Sequence, residues 1–280
     1  SHPDIEIASR AKYLLHKIEL KWEQEGDDPD VQRILKGYGD ASEEARLSRI
    51  SQLALLPCDL SAGVLARIAR FEPSEELSRR AALLLVQQKS YSEALDHRRR
   101  AAIVEKLGAS ERVASRWLRT FVLEDTDPET AAAQWAEHAA AARKQFERHH
   151  ESNVQRQIML GLTQHQAALL ARLGEMDAAK PLFAQVVELS NDKQDQLLDV
   201  LRWLTQEGAF DAVTALETRH KEIIDAQPLL LYAVAEAREK QGAAELAEQA
   251  ATKAKTLSGE DSLQHLRVAD RASAGTLKGP

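Results

Sequence analysis

Apolar residues recur every three to four positions along most of the chain, which is the period of a helix buried on one face. The stretch "LGEMDAAKPLFAQVVEL" (173–189) carries such a face at Leu182, Phe183 and Val186. A second row of apolar residues, which includes Ala167, lies before the glycine of this stretch. Neither helix can bury its stripe alone. The pattern therefore predicts two helices that pack as a hairpin around the glycine.

The same arrangement recurs at a fixed distance along the chain. "LGEMDAA" at Gly174, "EGAFDAV" at Gly208 and "QGAAELA" at Gly242 place successive glycines 34 residues apart. A glycine at a helix end adopts the left-handed conformation without the penalty that a Cβ imposes. After the third glycine, Ala254 and Leu257 continue the apolar face. A constant period of this size predicts stacked helical hairpins.

These hairpins resemble tetratricopeptide repeats over residues 160–258. That family has 34-residue units with a small residue in the first helix, a glycine at the turn, an alanine early in the second helix and an aromatic residue four positions later. The positions that match are Ala167, Gly174, Ala179 and Phe183 in the first unit, Gly208 and Phe210 in the second, and Ala235, Gly242, Ala247 and Ala254 in the third.

The resemblance implies a concave surface that is lined by the first helices and holds a peptide or a partner protein. The family's clamp for an acidic C-terminus needs lysine and asparagine at such positions, and this chain has neither there. Carried over residue by residue, the expected groove is lined by Gln164, Arg172, Leu198, Arg202, Thr205, Tyr232, Glu236 and Glu239.

A different repetition marks the N-terminal third. "EIASRAKYLL" (6–15) and "ELSRRAALLL" (76–85) share glutamate, arginine, alanine and leucine positions, a pattern similar to the second helix of HEAT or armadillo repeats.

We therefore expect an all-α protein, a right-handed α-α superhelix (α-solenoid) of stacked helical hairpins. It is expected to be HEAT-like over 1–107 and tetratricopeptide-like over 108–258, with 259–280 as the start of a further, truncated repeat or a tail. Because both ends fall within repeats, we expect an excerpt of a longer solenoid.

Composition agrees with helices nearly throughout. The chain has only 12 glycines and 8 prolines in 280 residues, and β-branched runs are scarce. Ser42 is expected to cap a helix over 43–56, and Asp127 to cap a helix that begins at Pro128. No window is apolar enough to span a membrane, so the sequence predicts a soluble protein of the cytoplasm or the bacterial periplasm.

Charge is distributed unevenly. The net charge of -7 disfavours nucleic-acid binding by the whole chain, but residues 46–120 carry 14 basic against 8 acidic residues. The favoured interpretation is that arginine stems cover apolar surface in this segment. The alternative is a basic patch that binds a phosphate-rich ligand or nucleic acid. Its candidate residues are Arg98, Arg99, Arg100, Arg112 and Arg116.

Motifs of catalysis are missing from the sequence. The adjacent His149 and His150 would point about 100° apart on a helix, which does not suit a shared metal ion. Cys58 is the single cysteine, and no phosphate-binding glycine loop or nucleophile elbow is present. We therefore expect a noncatalytic scaffold that binds a protein or peptide, without cofactor or metal. The remaining alternative is the helical accessory region of a larger multidomain enzyme.

Overall fold

The computed structural model describes residues 22–87, 101–105, 110 and 112–258. Across these ranges all regular secondary structure is helical and no strand occurs, which confirms the prediction of an all-α protein. The chain divides into two compact units, Ser1–Val122 and Leu123–Pro280. The change of repeat type expected at 107/108 is a separate boundary, and it stays a prediction.

In the first unit, four helices, α1 to α4, contact one another. Helix α3 packs along α4, α2 contacts both of them, and α1 contacts α2 and α3. A further helical stretch covers 101–105. The helix bounds are α1 (Pro29–Leu35), α2 (Glu43–Ala54), α3 (Cys58–Phe71), α4 (Glu75–Gln87) and α5 (Val113–Leu123).

The second unit is a succession of antiparallel helices. Helix α7 packs on α6 and α8, while α12 packs on α9 and α13, and α8 also contacts α10. The bounds are α6 (Pro128–Arg148), α7 (Asn153–Arg172), α8 (Met176–Leu189), α9 (Gln194–Gln206), α10 (Phe210–Arg219), α11 (Lys221–Ala226), α12 (Pro228–Lys240) and α13 (Ala244–Ser258).

Two helix starts follow the predicted capping. The Ser42 hydroxyl accepts the backbone N–H of Ala45 at 3.3 Å, and the Asp127 carboxylate accepts that of Thr130 at 3.1 Å. Pro128 occupies the first helical position, where no backbone donor is needed. Both caps satisfy amide groups that have no partner inside the helix, so these boundaries are specified locally.

The three periodic glycines are structurally equivalent. Gly174, Gly208 and Gly242 have φ angles of 79°, 69° and 84°, and the next helix begins two residues after each. The N–H that follows the first glycine, on Glu175, donates to the Leu170 carbonyl at 2.9 Å, which closes a Schellman turn. The corresponding bonds join Ala209 to Leu204 and Ala243 to Arg238. The predicted glycine turns are thus confirmed.

Burial of the second helices is less uniform than the pattern predicts. Ala179 and Val213, five residues after their glycines, are buried, whereas Ala247 is half-buried. Leu257 is 50% exposed, so the apolar face expected on α13 is fully buried only at Ala254. The reason is positional, since no later helix among the described residues covers the far side of α13. The repeat expected over 259–280 and the first N-terminal copy at 6–15 lie outside the described residues.

Candidate binding surfaces

The eight residues of the expected groove all lie on the first helices of the three hairpins, α7, α9 and α12. We call these residues the first-helix surface. Most of them are accessible to solvent: Gln164, Leu198, Arg202 and Tyr232 are half-buried, and Arg172, Glu236 and Glu239 are exposed.

Thr205 differs from the other seven. Its side chain is buried, and its hydroxyl donates to the Leu201 carbonyl one turn earlier at 2.7 Å. A hydroxyl that is satisfied within its own helix has little to offer a ligand. The structure therefore places Thr205 in the packing of α9 rather than at an accessible surface.

Two charged members of the first-helix surface have partners within the unit. Arg172 donates to Glu124 at 3.0 Å, and Glu236 pairs with Lys240 at 2.9 Å on the exposed side of α12. By contrast, Arg202 and Glu239 form no ion pair or side-chain hydrogen bond in the described part of the chain. Arg202 and Glu239 are therefore the members of this surface whose charges remain available to a ligand.

Beside Arg172 lies a buried carboxylate that the sequence analysis did not single out. Glu124, directly after α5, has a side chain that is 2% exposed. Its Oε1 accepts the indole N–H of Trp135 at 2.8 Å and lies 2.5 Å from Nε2 of His165, while Oε2 accepts Arg172. The rings of Trp135 and His165 pack edge to face, with centroids 4.7 Å apart. This Glu124 cluster joins the residues just before α6 to α6 and α7.

The electrostatics of the Glu124 cluster keep the carboxylate ionised. Burial by itself would raise the pKa of Glu124, but the charge and hydrogen bond of His165, the charge of Arg172 and the hydrogen bond of Trp135 together lower that pKa to about 2. Both carboxylate oxygens are engaged by protein groups. The arrangement suits an internal anchor rather than an acid or base that works on a substrate.

The basic patch is only partly described. Arg98, Arg99 and Arg100 lie outside the described residues, and Arg116 is exposed on α5. Arg112 points inward: its guanidinium donates to the backbone carbonyls of Arg70 at 3.0 Å and Glu72 at 2.5 Å. These are carbonyls where α3 ends, so Arg112 supplies donors that the helix itself cannot.

Replacement of Arg112 by alanine is expected to lower the free energy of unfolding of the first unit by about 1.5–3 kcal/mol, because it removes charged donors from half-buried carbonyls. Urea unfolding followed by circular dichroism measures this loss. Arg116→Ala, four residues further along and exposed on α5, should change the unfolding free energy by less than about 0.5 kcal/mol. An Arg112→Ala protein of unchanged stability that binds heparin more weakly would instead favour the basic patch as a ligand site.

The two adjacent histidines lie at the surface. His149 and His150 are exposed where α6 ends. Across the described ranges, no three histidine, cysteine or acidic side chains come together in a way that could hold a metal ion. The helices described here also include none with the length and apolarity needed to cross a membrane.

Comparison with known proteins adds no relative to this picture. No family model matches the chain, and neither a curated protein nor a solved structure is significantly similar to it. The described residues define an all-α protein. Its function has to be argued from its surfaces.

Proposed function

We propose that this protein is a noncatalytic scaffold whose tetratricopeptide-like hairpins stack into a right-handed α-solenoid and bind a peptide or protein partner on the first-helix surface. The observation that carries the proposal is the equivalence of the three glycine turns that close consecutive hairpins. Repeat proteins of this kind use the face formed by their first helices to hold partners.

Packing within the second unit supports stacking in series. The first helices α9 and α12 pack on each other, and the second helices α8 and α10 do the same. Phe183 on α8 and Trp203 on α9 join successive hairpins, with ring centroids 5.6 Å apart. Contacts between like helices of neighbouring hairpins are the arrangement that a solenoid requires.

The chemistry of the first-helix surface suits a peptide with apolar and charged residues. Leu198 and Tyr232 offer half-buried apolar area, while Arg202 on α9 and Glu239 on α12 offer charges of opposite sign. Aromatic residues and arginine are enriched where proteins bind other proteins. For the first unit we propose HEAT-like helical repeats, supported by the full burial of Ala81 in α4, the position at which both copies of the pattern carry alanine.

The test is a selection of peptides from a displayed random library on the intact chain, followed by fluorescence polarisation with the selected peptides. Arg202→Glu should weaken their binding at least about tenfold, which corresponds to about 1.4 kcal/mol. Arg219→Glu is the matched control, because Arg219 is exposed on α10, the second helix of the same hairpin. Selected peptides that bind Arg202→Glu as tightly as the unchanged protein would contradict the proposal.

A further inference from the structure

A cavity of about 330 Å³ opens between α6, α7 and α8 in the second unit. Its apolar lining includes Phe146 and the buried Met159. Four charged side chains also line it, and none of them belongs to the first-helix surface. They are Arg143 and Glu147 on α6, Arg156 on α7 and Glu188 on α8.

The charges around the cavity are not paired with one another. Arg143 and Glu147 stand four residues apart on α6, a spacing at which opposite charges commonly meet, yet no ion pair forms between them in the described structure. Elsewhere in the unit such neighbours do pair, as in Lys240 with Glu236 at 2.9 Å. Arg156 likewise forms no ion pair or side-chain hydrogen bond within the described ranges. The cavity thus holds two cationic and two anionic groups that are free for a ligand.

We propose that this cavity is a second peptide-binding site, which takes one large apolar side chain between flanking residues of opposite charge. An aromatic or branched aliphatic side chain would contact Phe146 and Met159, an acidic neighbour would pair with Arg143 or Arg156, and a basic neighbour with Glu147 or Glu188. Buried aromatic or aliphatic anchors in such pockets dominate the affinity of many protein interfaces.

Size and charge favour a peptide over a small molecule as the occupant. The volume is at the low end of the range of about 300–1,000 Å³ for sites that enclose a small ligand. Arg143, Glu147 and Glu188 are exposed, so the charged groups flank an open mouth across which a chain can pass. The two signs balance, which complements a segment that carries both acidic and basic residues beside its apolar one.

The probes are fluorescein-labelled nonapeptides with a central tryptophan, leucine or glycine, glutamates on one side and lysines on the other. Fluorescence polarisation with the intact 280-residue chain measures their binding up to about 1 mM. The tryptophan peptide should bind saturably and the glycine peptide at least about tenfold more weakly, because only the former fills the cavity. Arg156→Glu should weaken the tryptophan peptide at least about tenfold, and so should Arg143→Glu, a change at an exposed position that leaves the helix packing intact.

Arg148→Glu is the control within this site, because Arg148 is exposed at the end of α6 and does not line the cavity. Arg202→Glu separates this site from the first-helix surface and should leave the tryptophan peptide unaffected. The proposal is overturned if no peptide binds saturably. It is also overturned if binding is the same to Arg156→Glu and Arg143→Glu as to the unchanged chain, or if the glycine peptide binds as well as the tryptophan peptide.

Discussion

Glu124→Ala is expected to lower the free energy of unfolding of the second unit by about 3–5 kcal/mol, the range seen when one partner of a buried ion pair is removed. The change leaves the Trp135 indole N–H, His165 and the Arg172 guanidinium without their shared acceptor. It also opens space where the carboxylate stood, next to Trp135 and His165. Urea unfolding with hydrogen exchange resolved to the second unit measures the loss.

Glu137→Ala is the matched control for this prediction, because Glu137 is exposed on α6 and should change the unfolding free energy by less than about 0.5 kcal/mol. A loss below about 1 kcal/mol for Glu124→Ala would show that the cluster contributes little. The fluorescence of Trp135 offers a second readout, since its indole N–H loses a charged acceptor at 2.8 Å.

The contribution of Glu124 should also depend on pH in a defined direction. Its pKa of about 2 in the folded chain lies below the ordinary value of 4.5, so the stabilisation is complete above about pH 4.5 and is lost as the pH falls towards 2. A difference of this size corresponds to about 3 kcal/mol. The gap in unfolding free energy between the unchanged chain and Glu124→Gln should therefore narrow between pH 5 and pH 2. A gap that stays constant over this range would contradict the assignment.

Phe183→Ala is expected to destabilise the second unit by about 3–5 kcal/mol, the usual loss when a buried phenylalanine is truncated. Phe183 is 3% exposed on α8, and its ring packs against Trp203 of the next hairpin. Truncation thus removes core packing and one of the contacts that couple successive hairpins. Urea unfolding measures the loss, and the emission of Trp203 reports the change in its surroundings.

Two further variants serve as controls for Phe183→Ala. Phe183→Leu keeps much of the apolar volume and should cost clearly less than alanine. Phe210→Ala alters an aromatic residue at a different position of the next hairpin, half-buried at the start of α10, and should also cost less. If Phe183→Ala were no more destabilising than Phe210→Ala, Phe183 would not be a principal contact between the hairpins.

Local features of the chain could be predicted well from the residues. Ser42 and Asp127 cap helices in the structure because their side chains reach amides three residues ahead. The glycine turns were equally predictable, since a residue without Cβ is what a positive φ at a helix end requires. These features depend on neighbours within one or two turns of helix, and such neighbours can be read directly from the sequence.

The candidate sites could be predicted only in part. The resemblance to tetratricopeptide repeats placed Thr205 among the groove residues, but the structure buries it, because burial depends on which helix packs against each face. Arg112 was assigned to a basic patch, and its guanidinium instead binds carbonyls 40 and 42 residues away. Periodicity gives the direction of a side chain around its helix and does not give what lies opposite.

The Glu124 cluster shows most clearly what tertiary structure decided. The groups that bind Glu124 lie 11, 41 and 48 residues further along the chain, on two helices, and no spacing in the sequence joins them. By itself the sequence determined an all-helical chain with three equivalent glycine turns, because helix formation, capping and turn conformation are local. Only the packing of the helices decided which charges are paired in the interior and which, around the cavity and on the first-helix surface, form no ion pair among the described residues. Those contacts join residues that are distant in sequence, and their geometry exists only once the helices have packed.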